Sequence, residues 1–346
     1  MRTTAAILVE TGRPLELADL TLPPPGKGQV LVEVLYSGVC HTQILECRGH
    51  RGEDRFLPHC LGHEGSGLVI EVGPGVTKVK PGDKAILSWI KGSGADVSGW
   101  SYDWDGRKVN AGPITTFGRH SVLSENRLTV IPDDMPAREA AMLGCAVPTG
   151  LGAVFNTAQP RPGQSLAVFG AGGIGLCAVA GAAILGCVPI IVADVNPQKL
   201  EVALRMGATH VIESGGPGLI AEVHRLCPGG VDFAVEATGR PAVMADALEC
   251  VRPQGGAAVI VGNARVGERL DLDPRQLNQG KQLRGTWGGD NVPDRDFPRY
   301  CRLMTSGKLD LGPMLSQTYA LEQINEAIDD LEAGRVVRPL IQIAVE

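Results

Sequence analysis

The residues of this chain with the clearest potential for chemistry are cysteines and histidines in three separate segments. Cys40 follows a β-rich stretch, His63 comes in a second segment, and Cys145 lies much further along the chain. A local zinc clip has ligands two to four residues apart, whereas a catalytic zinc can take its ligands from distant parts of the fold and keeps one position open. The spacing therefore permits a catalytic metal site.

Spacing alone leaves other interpretations of these residues open. Buried thiols are common in protein cores, and an isolated histidine is more often a hydrogen-bonded core residue than a metal ligand. Several neighbouring side chains compete as ligands. They are Cys47, His50, His59 and Cys60.

A second group of chemically informative residues is the glycine-rich segment 170–175, Gly-Ala-Gly-Gly-Ile-Gly. It follows a short apolar run and opens an Ala-rich helical stretch, as a dinucleotide-binding fingerprint requires. Gly170 permits the tight turn, Gly172 lets the backbone approach a pyrophosphate, and Gly175 allows close packing of helix on strand. Asp194 lies 19 residues after Gly175, at the end of the next predicted strand. A carboxylate there accepts from both ribose hydroxyls and repels a 2′-phosphate, which predicts NAD rather than NADP.

The elements that must position these residues fall into two patterns. Residues 1–90 contain short β-branched runs separated by Gly and Pro, which indicates a small β-barrel or sandwich. Segment 91–113 shows no period and is predicted to be a surface loop, with a role in oligomer contact as one possibility. From about residue 147, strand-like and helix-like segments alternate, which predicts a parallel sheet with helices on both faces.

Composition limits the classes of protein to consider. A chain of 346 residues exceeds the size at which a single core usually splits, so two domains are expected. The net charge is −6 and no long Lys/Arg run is present, which disfavours nucleic-acid or anionic membrane surfaces. No apolar segment has the length of a membrane span or the pattern of a signal peptide. Nine scattered cysteines then indicate a reduced, cytoplasmic protein rather than a disulfide scaffold.

Motifs along the whole chain resemble the zinc-containing alcohol dehydrogenases of the medium-chain dehydrogenase/reductase superfamily. Segment 62–67, Gly-His-Glu-Gly-Ser-Gly, resembles the signature of that family. Segment 38–42 resembles its first-ligand motif, and segment 143–150 resembles the segment with its third ligand. The resemblance implies an α/β fold made of a GroES-like β-barrel catalytic domain (1–147, completed by 285–346) and a Rossmann NAD-binding domain (148–284), with the active site in the cleft.

The same resemblance implies roles for individual residues. One catalytic Zn²⁺ per chain would be held by Cys40, His63 and Cys145. Thr42 would take the alcohol proton, Glu64 would approach the metal during ligand exchange, and Trp89 would form a wall of the substrate pocket. His41 is implied as a further catalytic residue, beside the cofactor phosphates. The remaining implied residues contact the cofactor: Thr149, Gly170, Gly172, Gly173, Ile174, Gly175, Asp194, Lys199 and Arg338.

Three departures from the family pattern matter. Residues 91–126 contain no cysteine, so no structural zinc is expected, and Trp100, Tyr102 and Trp104 are expected to pack there instead. Gln43 stands where the family usually has Asp, and its amide oxygen is expected to accept from the His63 imidazole. Leu45 occupies the position of a relay histidine that some members carry, and His50 is a possible substitute.

The function expected from this resemblance is a zinc-dependent oxidoreductase that transfers hydride between an alcohol and NAD, reversibly. The alternative within enzymes is a specialised biosynthetic carbonyl or enone reductase of the same family. The alternative from another class is a catalytically silent NAD-sensing protein, which the presence of the three ligands and Thr42 disfavours. A homo-oligomer, either dimer or tetramer, is expected by similarity, and the identity of the alcohol cannot be predicted from the sequence.

Overall fold

A computed structural model describes residues 1–97, 100–216, 218–315 and 317–344. The chain divides into two compact units, and each takes residues from separate parts of the sequence. Unit 1 comprises Met1–Cys145, Val292–Gly307 and Leu315–Glu346. Unit 2 comprises Ala146–Asn291 and Lys308–Met314.

The described residues form eighteen strands. In chain order these are β1 (Arg2–Leu8), β2 (Glu16–Thr21), β3 (Gln29–Gly38), β4 (His59–Cys60), β5 (Glu64–Val72), β6 (Lys84–Ser88), β7 (Ser101–Trp104), β8 (Arg107–Asn110), β9 (His120–Ser124), β10 (Leu128–Val130), β11 (Leu166–Phe169), β12 (Ile190–Asp194), β13 (His210–Glu213), β14 (Phe233–Glu236), β15 (Ala257–Ile260), β16 (Gln282–Gly285), β17 (Thr318–Ala320) and β18 (Leu340–Gln342).

Ten α-helices lie between them in the described part of the chain, together with short 3₁₀ segments and a π-helix over Ala153–Ala158. The α-helices are α1 (His41–Cys47), α2 (Ala137–Ala140), α3 (Ala146–Gly152), α4 (Gly173–Ile184), α5 (Pro197–Arg205), α6 (Leu219–Leu226), α7 (Pro241–Cys250), α8 (Arg275–Asn278), α9 (Pro293–Thr305) and α10 (Ile324–Glu332).

Unit 1 is built on β-structure. Strands β1, β2, β7, β8 and β4 close into a barrel. A second sheet has the order β10-β6-β5-β3-β18-β17. Strand β18 pairs with residues 36–38 of β3, and β9 pairs with residues 29–33 of the same strand. The ten-residue β3 is buried along almost its whole length because it lies between neighbours on both sides. This central strand leads directly to Cys40.

The prediction that segment 91–113 is a surface loop is wrong for residues 101–110. Residues 101–110 form the hairpin of β7 and β8, which completes the barrel, while residues 98 and 99 lie outside the described part of the chain. Tyr102 is 1% exposed and belongs to the barrel core, against which Trp100 and Trp104 pack, as expected for these aromatic side chains. The role of this segment in oligomer contact stays a prediction.

Unit 2 contains a six-stranded parallel sheet in the order β13-β12-β11-β14-β15-β16. This is the strand order of a Rossmann fold, with the switch point between β11 and β14, and it confirms the predicted α/β arrangement. Short apolar strands such as β11 are fully buried because helices pack against the sheet. The carboxyl end of β11 leads into the glycine-rich segment.

No single helix among the described residues has the length and apolar composition to cross a membrane. By length and composition alone, one bent pair, Ala137–Gly144 followed by Ala146–Ala158, could do so.

Candidate active site

Three side chains from distant parts of the chain converge in unit 1. The ligand atoms of Cys40, His63 and Cys145 all lie within 4.8 Å of one another, and the two cysteines are buried. Two thiols and an imidazole are zinc ligands, and three protein ligands leave a fourth position for a substrate. The structure therefore brings together the three residues that the family resemblance implied.

Each of the three residues lies at the end of a regular element. Cys40 is the N-cap of α1, just beyond β3, and His63 immediately precedes β5. Cys145 follows a 3₁₀ turn over Ala141–Gly144. Gly144 permits this approach, because a Cβ there would collide with the carbonyl oxygen of Leu87 and lie 2.7 Å from Cα of Glu64.

The structure disfavours three of the four competing residues, His59, Cys47 and Cys60, as metal ligands. Both ring nitrogens of His59 have partners: Nε2 lies 2.8 Å from Oδ2 of Asp54, and Nδ1 lies 3.1 Å from the carbonyl oxygen of Cys60. Burial raises the pKa of the Cys47 thiol to about 12 and that of Cys60 to about 12, so both stay protonated near neutral pH. By contrast, a hydrogen bond from Cys145, together with the positive charge of Arg338, holds the pKa of the Cys40 thiol well below its usual range.

Gln43 supports two of the converging residues at once. Its side chain is buried, its Oε1 accepts a hydrogen bond from the backbone N–H of Cys40 at 2.8 Å, and its Nε2 lies 2.5 Å from Nδ1 of His63. The expectation that the amide oxygen faces the imidazole is therefore wrong as the amide is oriented here, because that oxygen is held by the Cys40 backbone.

Two further residues of α1 were predicted to act in catalysis. The hydroxyl of Thr42 lies 3.8 Å from Sγ of Cys40 and is half-buried, so it borders the thiol cluster. His41 is exposed at the first position of the helix. Leu45, four residues after His41 and therefore on the same side of the helix, is buried. The possible substitution of His50 for a relay histidine stays a prediction.

Glu64 and Arg338 form an ion pair inside unit 1. Both side chains are almost fully buried, and Nη2 of Arg338 contacts Oε1 of Glu64. Gly38 makes room for this carboxylate, since a Cβ there would lie 2.5 Å from Oε1. The resemblance implied a cofactor role for Arg338. Here its guanidinium is engaged with Glu64, and the cofactor role stays a prediction.

Trp89 is joined to the site through its backbone. Its N–H donates to the carbonyl oxygen of His63 at 3.0 Å, and its side chain packs against the apolar cluster around Leu87. Its predicted position on a pocket wall is not tested by these contacts.

A cavity of about 630 Å³ lies within unit 1 and reaches Gln43 and His63. Its described lining comes from residues 43–63 and 110–114 and includes the exposed ring of Phe56. The charged side chains of the lining are predominantly acidic. They are Glu46, Glu53 and Asp54, against Arg51, which pairs with Glu46 at 2.6 Å. Sequence reasoning missed this acidic lining, because its charges are spread over an irregular segment with no recognisable motif.

The glycine-rich segment of unit 2 has the geometry of a dinucleotide fingerprint. Gly170 has a positive φ of 95°, and a Cβ on Gly175 would collide with the carbonyl oxygen of Gly170. At Gly172, by contrast, apart from its two chain neighbours, no atom of the described residues lies within 4 Å of the position that a Cβ would take. Protein packing therefore explains two of these glycines, whereas the third leaves an open cradle at the start of α4.

Asp194 lies at the end of β12, beside this cradle. Its Oδ2 accepts from the backbone N–H of Ala171 at 2.6 Å, and its Oδ1 accepts from the N–H of Asn196 at 2.8 Å. The carboxylate is thus oriented by the glycine-rich turn itself. Lys199, in the first turn of α5, is half-buried, and so is Ile174 in α4.

Thr149 also belongs to unit 2, in α3. It is 5% exposed, and its hydroxyl has no hydrogen-bond partner among the described residues. A buried hydroxyl without a partner costs free energy, so such a group commonly serves a bound ligand or water.

Family models match most of the chain. The alcohol dehydrogenase GroES-like domain matches residues 26–133, and the zinc-binding dehydrogenase family matches residues 173–306. An S-(hydroxymethyl)glutathione dehydrogenase of Paracoccus denitrificans is 34% identical over 99% of this chain and 100% of its own length. One of Photobacterium damsela subsp. piscicida is 36% identical with the same coverage.

Solved structures agree with these relatives. The benzyl alcohol dehydrogenase of Acinetobacter calcoaceticus superimposes with a TM-score of 0.90 at 30% identity, over 99% of this chain and 100% of that one. An alcohol dehydrogenase zinc-binding domain protein from Burkholderia ambifaria gives a TM-score of 0.92 at 30% identity, over the full length of both chains. Together with the converging thiols and imidazole, these matches show that the chain belongs to the zinc-containing alcohol dehydrogenase family of the medium-chain dehydrogenase/reductase superfamily.

Proposed function

We propose that this protein is a zinc- and NAD-dependent alcohol dehydrogenase that interconverts an alcohol and its aldehyde or ketone. The observation that carries the proposal is the convergence of Cys40, His63 and Cys145 within 4.8 Å in a family of such enzymes. Unit 1 would carry the metal and the substrate, and unit 2 would carry the dinucleotide. The predicted domain boundaries, the cytoplasmic location and the dimer or tetramer belong to this proposal as well.

The donor set fits zinc. Two thiolates and a neutral imidazole are the Cys₂His set that alcohol dehydrogenase exemplifies among catalytic zinc sites. The low pKa of Cys40, caused first by its hydrogen bond with Cys145, favours the thiolate that a metal requires. A bound zinc ion supplies Lewis acidity, which lowers the pKa of an alcohol and polarises a carbonyl.

Unit 2 fits a dinucleotide. The open space at Gly172, the uncapped first turn of α4 and the carboxylate of Asp194 are the three parts of a pyrophosphate and ribose site. The unpartnered hydroxyl of Thr149 is a further polar group for the cofactor to satisfy. NAD supplies the hydride acceptor, and NADH the donor in reverse.

The residues of the chain then have distinct tasks. Cys40, His63 and Cys145 would bind the metal and hold it at the ends of α1 and β5. The Thr42 hydroxyl, close to Cys40, would accept the alcohol proton and pass it outward. Glu64 is held by Arg338, and this ion pair gives the buried carboxylate a defined position next to the centre.

The cavity that reaches His63 is the proposed substrate-binding region. Phe56, Pro113 and Ile114 offer apolar surface for the body of the alcohol, while the three carboxylates of the lining disfavour an anionic substrate. Among the substrates named by the relatives, this lining favours an uncharged aromatic alcohol over a glutathione adduct, which is an anion at neutral pH.

The test is nicotinamide reduction over a panel of primary, benzylic, secondary and polyol alcohols, with NAD and with NADP, before and after chelation and zinc restoration. We expect turnover with NAD that chelation abolishes and zinc restores. Turnover that survives complete metal removal would contradict the zinc proposal, and a preference for NADP would contradict the role of Asp194. Cys145→Ser removes one of the three proposed zinc ligands with little change in side-chain size, and we expect this variant to lose both zinc and activity.

A further inference from the structure

Gln43 links two of the three proposed metal ligands through one amide group. Its side chain is 1% exposed. One end accepts from the backbone N–H of Cys40 at 2.8 Å, and the other lies 2.5 Å from Nδ1 of His63. An amide offers one accepting oxygen and one donating nitrogen, so both ends are committed.

Metal binding decides what the His63 ring can offer to Gln43. Because Nδ1 faces the amide, Nε2 is the ring nitrogen that remains for a metal. A neutral imidazole that ligates through Nε2 carries its proton on Nδ1 and donates a hydrogen bond from it. Gln43 then faces two donors, the Cys40 backbone N–H and the His63 Nδ1–H, with a single acceptor oxygen.

Rotating the amide by half a turn does not remove this mismatch. The rotation exchanges oxygen and nitrogen, so the imidazole gains an acceptor while the Cys40 N–H faces an NH₂ group. One of the two donors therefore lacks an acceptor whichever of the two amide atoms is the oxygen. A carboxylate of the same length has two accepting oxygens and satisfies both donors.

We infer that Gln43 limits the metal affinity of this centre, so that the protein binds zinc more weakly than its three ligands permit. Gln43 acts here as a positioning residue, and the inference rests on the proposed zinc site. Metal-ligating histidines almost always donate their second N–H to a carboxylate, a carbonyl or water, and changes in these partners alter metal affinity by about 10–100-fold.

The experiment compares wild type, Gln43→Glu and Gln43→Met in the full-length protein. Zinc dissociation constants are measured by competition with a chromophoric chelator, without alcohol or NAD. We expect Gln43→Glu to bind zinc about tenfold more tightly than wild type. Gln43→Met has similar bulk but no amide donor opposing the His63 Nδ1–H, so we expect it to bind zinc at least as tightly as wild type and more weakly than Gln43→Glu. The melting temperature of each metal-free protein controls for folding.

Equal or weaker zinc binding by Gln43→Glu, with unchanged melting of the metal-free protein, would overturn the inference. If Gln43→Glu does not fold, Gln43→Met decides, because zinc binding weaker than that of wild type would show that the amide supports the metal and would also overturn the inference. A wild-type protein that binds no zinc, or a Cys145→Ser variant that binds it as tightly, would instead refute the proposed metal site, and this inference with it.

Discussion

The guanidinium of Arg338 and the carboxylate of Glu64 form an ion pair in the interior of unit 1, where the two side chains are 3% and 0% exposed. Because both side chains are shielded from water, solvent cannot take the place of either partner in the pair. The two residues are 274 positions apart in the chain, so the pair joins the start of β5 to the segment just before β18.

We expect Arg338→Met to lower the free energy of unfolding by about 3–5 kcal/mol, because it removes the cation from a buried ion pair and leaves the Glu64 carboxylate in the interior. Urea unfolding followed by tryptophan fluorescence measures this, since three of the four tryptophans lie in unit 1. The double variant Glu64→Gln with Arg338→Met is the control, and it should recover part of the loss. A loss below about 1 kcal/mol in the single variant would contradict a buried pair of this kind.

The glycine-rich segment allows cofactor binding to be separated from folding. At Gly172 an added methyl group would meet none of the described residues beyond its two chain neighbours, and the φ of −81° at this position suits alanine. We therefore expect Gly172→Ala to keep or slightly raise the melting temperature, while the Kd for NADH in a fluorescence titration rises at least about tenfold, or 1.4 kcal/mol.

Gly175→Ala is the matched variant, because its methyl group would collide with the carbonyl oxygen of Gly170. We expect it to lower the melting temperature of the cofactor-free protein. If Gly172→Ala binds NADH as tightly as wild type, the proposed cradle at the start of α4 is wrong.

The acidic cavity lining predicts selectivity for substrate charge. We expect kcat/KM to fall in the order 4-(aminomethyl)benzyl alcohol, benzyl alcohol, 4-(hydroxymethyl)benzoate, because these share one body and differ in charge. Each step should be a factor of a few, about 1 kcal/mol at most for a solvated pair, and should shrink as salt is added.

Glu53→Gln is the variant that tests the origin of this selectivity. Its carboxylate lines the cavity, its side chain is 80% exposed, and its ion pair with Arg55 is long at 3.7 Å. Its removal should therefore reduce the preference for the cation without loss of stability. A preference for the anionic alcohol in the wild-type protein would exclude this cavity as the substrate-binding region.

The hairpin of β7 and β8 depends on a buried hydroxyl. The Tyr102 oxygen accepts a hydrogen bond from the backbone N–H of Val122 at 2.9 Å inside the barrel. We expect Tyr102→Phe to cost about 1–3 kcal/mol, because the buried N–H loses its acceptor.

Tyr319→Phe is the comparison for this tyrosine. The Tyr319 hydroxyl donates to Asp330, whose carboxylate keeps an ion pair with Arg335, so about 0.5–1.5 kcal/mol is expected. The free energy of unfolding of each variant, measured in urea, shows whether the Tyr102 hydroxyl contributes more stability than the Tyr319 hydroxyl. Equal losses would show that burial of the Val122 N–H contributes little.

Local patterns predicted the parts of this protein that are local in the structure. The glycine-rich segment, the strand before it and Asp194 lie within about thirty residues, and their spacing is imposed by one βαβ unit. For the metal centre, spacing alone left Cys47, His50, His59 and Cys60 as alternatives. The resemblance to a known family singled out Cys40, His63 and Cys145, which the structure brings together.

The features that sequence reasoning missed depend on contacts across the fold. The hairpin at 101–110 was predicted to be a loop because its strands have four residues each, too few for alternation to be seen beside Gly and Asp. The pairing of Arg338 with Glu64 and the orientation of Gln43 are set by packing between distant segments, which no local pattern encodes.

The position of β18 has a consequence for the order in which the chain folds during synthesis. This strand, Leu340–Gln342, lies between β3 and β17 in the unit 1 sheet. A ribosome therefore releases all of residues 146–291 before the strand that pairs with residues 36–38 of β3 exists, and unit 2 can complete its sheet first. Until Leu340–Gln342 emerges, residues 36–38 of β3 lack their β18 partner, and a nascent chain in that state is a natural client for chaperones that shield unpaired strands.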